Sequence, residues 1–231
     1  MACADRGMER GASASDETAC IDEPLDIIEE MNRQFDDAII TTDVGQHMML
    51  VSQYAEITEK KQLVMSGGLG TMGYGFPAAI GAQIGNPEKR VIAVSGDGGM
   101  QMNIQEFATA VLEETPVIAC VFNNTYLGWC VSGRSCLRKR YGMTNLRAGA
   151  LSRRTDGAEF PEYTPDFVKL AESYGAKGIR VTKTEEISAA FEEAKKNTKT
   201  PTLIEFIIDP EEMVYPMIKP GGTLEDMIMD C

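Results

Sequence analysis

Hydrophobic and polar positions follow two different periods along the chain, one typical of amphipathic helices and one typical of buried strands. Apolar residues recur at helical spacing in PLDIIEEMNRQF, HMMLVSQYAEI, MGYGFPAAIGAQIG, NIQEFATAVLEE, TPDFVKLAESYG and TEEISAAFEEAKKN. Between these segments lie the short apolar runs DAIITTD, QLVMS, RVIAVSG, PVIACVFNN, GIRVT and TLIEFIID. Runs without a polar face are typical of strands that are covered on both sides of a sheet. The pattern therefore predicts six helices that alternate with six strands.

This alternation predicts an α/β fold with a six-stranded parallel sheet and helices on both faces. The helix ends agree with it, because Pro165 stands where a helix begins and Gly175 where that helix ends. In such a sheet, ligands bind at the carboxyl ends of the strands. Candidate chemistry is therefore expected at the residues that directly follow each strand.

Two segments lie outside the regular alternation. Residues 1–24 are small, polar and charged, and we expect them to form a disordered tail before one domain at residues 25–231. The stretch at residues 125–163 is long and irregular. A segment rich in proline and methionine ends the chain.

Composition excludes several classes of function. The net charge of −13 disfavours binding to nucleic acids and to anionic membranes. No apolar run approaches the roughly 20 residues of a membrane helix, and the first residues lack the apolar core of a secretory signal, so we expect a cytoplasmic protein. The six cysteines form no C-x-x-C pair and His47 is the only histidine, which argues against a zinc site.

Polar residues follow two neighbouring strands of the predicted sheet. GDGG at residues 96–99 follows RVIAVS, and Asn124 closes the run that ends in NN. Asp97 and Asn124 offer the hard oxygen ligands that Mg²⁺ prefers, and the glycines allow a diphosphate to approach the backbone. A helix predicted to begin near Asn103 would direct its positive end to the same region. Alone, G-D-G is usually a turn and N-N a loop pair, but the two at neighbouring strand ends favour a magnesium diphosphate site.

The GDG and NN words resemble the signature of thiamine-diphosphate enzymes. A narrower resemblance, to acetolactate synthase large subunits, rests on TDVGQH at residues 42–47, SGGLGTMGYGFPAAIGAQ at residues 66–83, GDGGMQMNIQE from residue 96, and VYPMIKPGG near the end. It extends from about residue 25 to the last residue. The resemblance implies thiamine diphosphate and Mg²⁺ as cofactors, and FAD only in the full-length family enzyme.

The resemblance also implies roles for individual residues. It assigns the metal to the side chains of Asp97 and Asn124 and to the backbone carbonyl of Tyr126. It assigns the cofactor to Val44, Gly45, Gln46 and His47 beside the diphosphate, to Gly98 and Gly99 packed against it, to Gly70 and Met72 facing the pyrimidine, and to Gly128 and Trp129 in the same pocket. Met72 would be an apolar wedge under the bent cofactor. Taken alone, a single histidine is more often structural and a methionine is more often core.

The implied activity needs residues from beyond this chain. The family enzyme decarboxylates pyruvate and joins the product to a second 2-oxo acid, in branched-chain amino-acid biosynthesis. Its glutamate that protonates the cofactor ring belongs to a separate pyrimidine-binding domain, so we expect no catalytic side chain here. We expect a thiamine-diphosphate-dependent transferase domain that works in an oligomer and is inactive alone. The alternatives are a separate subunit of a two-chain 2-oxo-acid decarboxylase or oxidoreductase, and a non-functional gene remnant.

Residues 129–138 depart from the resemblance. After Leu-Gly the family reads close to MVRQWQELF, whereas residues 129–137 read WCVSGRSCL. If the family words are written ATG GTG CGT CAG TGG CAG GAG CTG TTT G, loss of the first base gives TGG TGC GTC AGT GGC AGG AGC TGT TTG, which encodes WCVSGRSCL. We hypothesise an out-of-frame reading with one lesion at Gly128 and a restoring one near Lys139. The alternative is a divergent loop, and the codons of the gene distinguish the two.

Overall fold

The secondary structure alternates between strands and helices along the described chain. The computed structural model describes residues 20–125, 165–209, 214–218 and 222–229. The strands are β1 (Ile39–Thr42), β2 (Gln62–Met65), β3 (Val91–Gly96), β4 (Ile118–Asn123), β5 (Lys177–Val181), β6 (Thr202–Ile207), β7 (Met217–Ile218) and β8 (Met227–Ile228). The helices are α1 (Leu25–Gln34), α2 (Gln46–Tyr54), α3 (Gly75–Gly85), α4 (Asp97–Met102), α5 (Glu106–Leu112), α6 (Phe167–Ser173) and α7 (Thr184–Lys196).

The first six strands form one parallel sheet in the order β2-β1-β3-β4-β6-β5. This confirms the predicted α/β fold and all six predicted strands. The chain moves outward from β1 to β2 and then returns to the other side of β1 to form β3. The strand order therefore reverses between β1 and β3, and ligands of open parallel sheets bind in the crevice at such a reversal.

Helices cover both faces of the sheet with separate apolar layers. Helices α1, α2 and α7 pack on one face, where Phe35 contacts Phe191 edge to face at 5.7 Å between ring centroids. Helices α3, α5 and α6 pack on the other, where the tilted rings of Phe76 and Phe107 lie 4.5 Å apart between centroids. Strands β3 and β4 lie between the layers, and this explains their continuous apolar sequences. Within the described residues, no helix has the length and apolar character needed to cross a membrane.

Two boundaries differ from the sequence-based expectations. The helix expected to begin near Asn103 is preceded by a separate helix, α4, which begins at Asp97 and includes Gly98 and Gly99 of the GDGG segment. The predicted tail was also too long. Ile21 is fully buried and forms a parallel bridge with Ile208, and its N–H donates to the carbonyl of Ile207 at 2.8 Å. Residue 21 therefore belongs to the edge of the packed domain, and residues 1–19 lie outside the described part of the chain.

The end of the described chain adds a hairpin that the apolar pattern did not predict. Strands β7 and β8 pair antiparallel, and a single 3₁₀ turn at Leu224–Asp226 precedes β8. Two-residue strands are too short to leave a periodic signal in the sequence. The side chains of Gln53 and Tyr54 bond to carbonyls of Pro216 and Tyr215, and these contacts attach the segment before β7 to the end of α2.

Candidate functional site

The carboxyl ends of β1, β3 and β4 bring three polar segments to one edge of the sheet. Asp43 follows β1, Asp97 follows β3, and Asn123 ends β4. The parallel registers between these strands hold their ends side by side. The candidate site therefore includes the strand reversal between β1 and β3.

Asp97 is a buried carboxylate without a complete set of partners. The residue is 2% exposed, and its Oδ2 has no hydrogen-bond partner among the described residues. Burial raises the pKa of Asp97 to about 7, and the nearby carboxylate of Glu205 adds to this, while backbone N–H groups including that of Gly98 act in the opposite direction. An ionised carboxylate in this position is costly unless a cation approaches it. The oxygen donor and its burial therefore fit a hard divalent cation.

The segment after β4 is shaped by side-chain hydrogen bonds to its own backbone. The N–H of Thr125 donates to Oδ1 of Asn123 at 3.2 Å, and Thr125 has a φ of 60°. Asn124 is 8% exposed, and its Nδ2 donates to Oε1 of Gln46 at 3.3 Å. Two of the predicted site residues, Asn124 and Gln46, are thereby brought into contact.

His47 fills the space between the ends of β1 and β3. A Cβ at Gly45 would stand 2.6 Å from the His47 ring, and one at Gly96 would stand 3.1 Å from it. Burial lowers the pKa of His47 to about 4, although a bond with the backbone of Asp43 acts in the opposite direction, and Nε2 has no partner among the described residues. The imidazole is therefore neutral at neutral pH, with one buried nitrogen left for a ligand.

Asp43 organises the site, although nothing in its sequence context predicted a role for it. The residue is 1% exposed, and its carboxylate accepts the N–H groups of Val44 at 2.7 Å, Gly73 at 2.9 Å and Gly75 at 3.3 Å. Burial raises its pKa, and these three backbone bonds lower it. Gly99 also packs against the carboxylate, where a Cβ would stand 2.8 Å from Cγ. Asp43 therefore connects the loop after β2 to helix α4.

The loop after β2 carries Gly70 and Met72. Gly70 has a φ of +62°, a conformation that glycine adopts without strain. The far end of the loop is fixed at Gly73, whose carbonyl accepts Nδ2 of Asn103 at 2.6 Å. Met72 therefore lies next to Gly73, which forms hydrogen bonds with both Asp43 and Asn103. The remaining predicted site residues, Tyr126, Gly128 and Trp129, and the segment at residues 129–138, lie outside the described part of the chain.

Glu205 is a second residue of the site that was not predicted from the sequence. It lies in β6 and is 2% exposed, and its Oε1 accepts Nδ2 of Asn123 at 2.7 Å. The available signal was a single acidic residue inside the otherwise apolar run TLIEFI, because a charge in a strand buried on both faces requires a partner.

The fold and the site define a class of protein. This is an open parallel α/β domain with a ligand site at the strand reversal. There a buried carboxylate and an amide offer oxygen ligands for a metal ion, and closely packed backbone lies beside them for an anion that the metal would bind. Residues 43–206 match the family described as "Thiamine pyrophosphate enzyme, C-terminal TPP binding domain". The chain belongs to this family of thiamine pyrophosphate-binding domains. The resemblance found in the sequence is therefore confirmed.

Three relatives of this chain are described as acetolactate synthase large subunits. The chain is 39% identical over 204 residues to a "Probable acetolactate synthase large subunit" of Methanocaldococcus jannaschii, covering 88% of this chain and 32% of the relative. It is 38% identical over 206 residues to an "Acetolactate synthase large subunit" of Corynebacterium glutamicum, covering 88% and 31%. It is 37% identical over 194 residues to "Acetolactate synthase isozyme 3 large subunit" of Escherichia coli, covering 83% and 31%. The chain thus spans about a third of the length of the curated relatives it matches.

Proposed function

We propose that this domain binds the diphosphate end of thiamine diphosphate through Mg²⁺. Asp97 and Asn124 would hold the metal with their side chains and Tyr126 with its backbone carbonyl. The observation that carries the proposal is the buried Oδ2 of Asp97, which lacks a partner among the described residues at the strand end beside Asn124. Mg²⁺ takes few ligands from protein side chains and completes its shell with phosphate oxygens and water, so one carboxylate and one amide suit it.

The other predicted residues would bind the rest of the cofactor. Gln46 and His47, with Val44 and Gly45, would lie beside the diphosphate, because α2 begins next to Asn124. Gly98 and Gly99 would present backbone to it from α4, with the N–H of Gly99 as a donor. Gly70 and Met72 would face the pyrimidine, and Gly128 and Trp129 would belong to the same pocket. When bound, thiamine diphosphate supplies the electron sink for cleavage and formation of bonds to a 2-oxo acid.

For the whole protein we propose acetolactate synthase activity, because its relatives are described as acetolactate synthase large subunits. Its substrates would be pyruvate and a second 2-oxo acid. A pyrimidine-binding domain or subunit would supply the glutamate that acts on the cofactor, within a homo- or hetero-oligomer, and FAD would belong only to the full-length enzyme. We propose a cytoplasmic location, since the acidic composition suits neither an anionic membrane nor nucleic acid.

Calorimetric titration tests the metal and cofactor site directly. Thiamine diphosphate is titrated into the 231-residue chain with Mg²⁺ or with EDTA. The unaltered chain is expected to bind only with Mg²⁺, and Asp97→Asn is expected to abolish that binding because it removes the anionic ligand. The control is Asp37→Asn, which removes an equal charge from an exposed position. Equal binding in EDTA, or unchanged binding by Asp97→Asn, would contradict the proposed site.

A second assay tests the expected dependence on another domain. The purified chain is incubated with pyruvate, thiamine diphosphate and Mg²⁺, with and without a separately produced pyrimidine-binding domain of an acetolactate synthase. We expect acetolactate only from the mixture. Turnover by the chain alone would overturn the proposal that a catalytic group comes from elsewhere. Decarboxylation without acetolactate would favour the alternative of a two-chain decarboxylase.

A further inference from the structure

One acidic side chain is buried inside the sheet beside the candidate metal site. The Glu205 side chain is 2% exposed, and its Oε2 accepts Nε of Arg180 at 2.8 Å. The same guanidinium donates through Nη2 to Oδ1 of Asp166 at 2.7 Å. Burying the carboxylate of Glu205 costs its hydration, and an ion pair with such a buried charge rarely gains stability over an apolar pair of similar size. Stability alone is therefore a weak reason for this arrangement.

The other oxygen of Glu205 is directed to the strand end. Oε1 accepts Nδ2 of Asn123 at 2.7 Å, and this bond fixes the orientation of the Asn123 amide. Oδ1 of Asn123 must then face the backbone, where it accepts the N–H of Thr125 at 3.2 Å. Asn124 lies between Asn123 and Thr125, the two residues that this second hydrogen bond joins. Glu205 thus controls, through one side chain, the turn that presents Asn124.

Charge adds to this geometric effect. Glu205 lies close enough to Asp97 for the two carboxylates to repel each other. Arg180 is 42% exposed and already shared with Asp166, so it screens the repulsion only in part. A divalent cation beside Asp97 would remove the repulsion, and the buried negative charge of Glu205 would in turn favour the cation.

We infer that Glu205 is a positioning residue for the metal: it orients the Asn123–Thr125 turn that carries Asn124 and contributes negative charge behind Asp97 without touching the ion. The inference rests on the proposed magnesium site. Groups that orient the ligands of a metal typically change metal affinity by about 10- to 100-fold when they are replaced. If Glu205 only held β5 against β6, its replacement would lower the stability of the domain and leave the affinity for Mg²⁺ unchanged.

The test compares Glu205→Gln with the unaltered full chain. Glutamine retains an oxygen that can accept from Asn123, but it removes the charge and places an amide N–H₂ toward Arg180. Arg180 keeps Asp166, so the guanidinium is not left without an anion. Mg²⁺ is titrated calorimetrically at a fixed, saturating concentration of thiamine diphosphate. We expect the Kd for Mg²⁺ to rise by about tenfold, with thermal unfolding in EDTA recorded to confirm that the variant is folded.

The matched control is Glu193→Gln. Glu193 is also an ion-paired glutamate, but it lies on α7 and pairs with Lys177, which begins β5 at the opposite end of the sheet. Its replacement is expected to leave the Kd for Mg²⁺ unchanged. A second variant, Glu205→Asp, keeps the charge but shortens the reach to Asn123, and its Kd is expected to lie between those of the unaltered chain and Glu205→Gln. If Glu205→Gln does not fold, Glu205→Asp decides the question.

The outcomes separate this inference from the proposed function. Absence of Mg²⁺-dependent binding by the unaltered chain would overturn the proposed magnesium site and the inference with it. Binding by the unaltered chain with the same Kd for Mg²⁺ in the Glu205 variants would overturn the inference alone. A weaker Kd in the Glu205 variants, and not in Glu193→Gln, would support it.

Discussion

The carboxylate of Asp43 lies directly against Gly99, at a distance that leaves no room for a side chain. A Cβ at position 99 would stand 2.8 Å from Cγ of Asp43 and 3.0 Å from each of its oxygens. The carboxylate is held in place by hydrogen bonds from the N–H groups of Gly73 and Gly75, so it cannot easily move aside. The packing of the domain itself therefore requires glycine at position 99, whether or not a cofactor is bound.

This contact predicts the effect of Gly99→Ala. Alanine within a helix normally stabilises it relative to glycine by about 0.5–1 kcal/mol. Here the clash with a fixed, buried carboxylate outweighs that gain, and overpacking of this kind costs about 1–3 kcal/mol. We expect a lower free energy of unfolding, measured by urea denaturation without cofactor.

The control for this variant is Gly81→Ala. Gly81 lies within helix α3, is exposed, and would meet no atom within 4 Å of a new Cβ. The same substitution is therefore expected to raise the free energy of unfolding by about 0.4–1 kcal/mol. Equal effects of the two substitutions would show that the contact with Asp43 carries no strain.

Because His47 is buried, we expect the domain to lose stability in mild acid. Its pKa in the folded domain is about 4, below the ordinary value of 6.5, because the ring is buried. As the pH falls, the unfolded chain therefore binds this proton first. The contribution of His47 is complete above about pH 6.5 and is lost progressively down to about pH 4, for a total of about 3 kcal/mol.

The comparison with His47→Gln isolates this contribution. Asp97 titrates in an overlapping range with the opposite sign, so the total stability does not report His47 alone. Urea unfolding of both proteins is measured in EDTA at several values of pH. The difference in free energy of unfolding should shift in favour of the glutamine variant as the pH falls through this range. Parallel curves would contradict the prediction.

The strands could be predicted from the sequence because their physics is local. The words RVIAVSG and PVIACVFNN are apolar on both faces, and a strand between two helical layers requires that pattern. Helix α4 could not be predicted in the same way. Two adjacent glycines disfavour a helix, and the conformation is supported instead by the packing of Gly99 on Asp43.

The residues of the candidate site could be predicted only where a known sequence motif contains them. Asp97 and Asn124 belong to such motifs at strand ends, and the structure places these segments at one edge of the sheet. Glu205 and Asp43 were missed because their partners are distant along the chain. Asn123 lies 82 residues before Glu205, and Gly73 lies 30 residues after Asp43. Pairings over such separations depend on the folded sheet and leave no spacing in the sequence.

Arg90 is predicted to stabilise the end of the sheet opposite the site. Its guanidinium donates to the carbonyls of Pro116 at 3.1 Å, Asn197 at 3.1 Å and Lys195 at 3.0 Å. Two of these carbonyls belong to the end of helix α7, where unpaired carbonyls favour a cation. Arg90→Met should lower the free energy of unfolding by about 2 kcal/mol, measured by urea denaturation.

The control for Arg90 is the exposed Arg33. Arg33 pairs with Glu30 at the surface of α1, and exposed pairs of this kind contribute about 1 kcal/mol or less. Arg33→Met should therefore have the smaller effect. Cofactor affinity should be unchanged in both variants, because both residues are remote from the strand ends that form the site. A change of cofactor affinity in Arg90→Met would show that the two ends of the sheet are coupled.

Asp97→Asn should stabilise the domain while it destroys the proposed metal site. In the folded domain the pKa of Asp97 is about 7, raised from 3.8, so burial makes its ionised form costly. The cost is absent below about pH 4, grows as the pH rises to about 7, and is complete above that. In EDTA, asparagine should therefore raise the free energy of unfolding by about 4 kcal/mol at about pH 8 and by less at about pH 5. With saturating Mg²⁺ and thiamine diphosphate the order should reverse, because a ligand that binds only the folded state stabilises it in proportion to the logarithm of its concentration. An equal gain at both pH values would show that the charge of Asp97 is not the cause, and a gain that persists with both ligands would place the metal elsewhere.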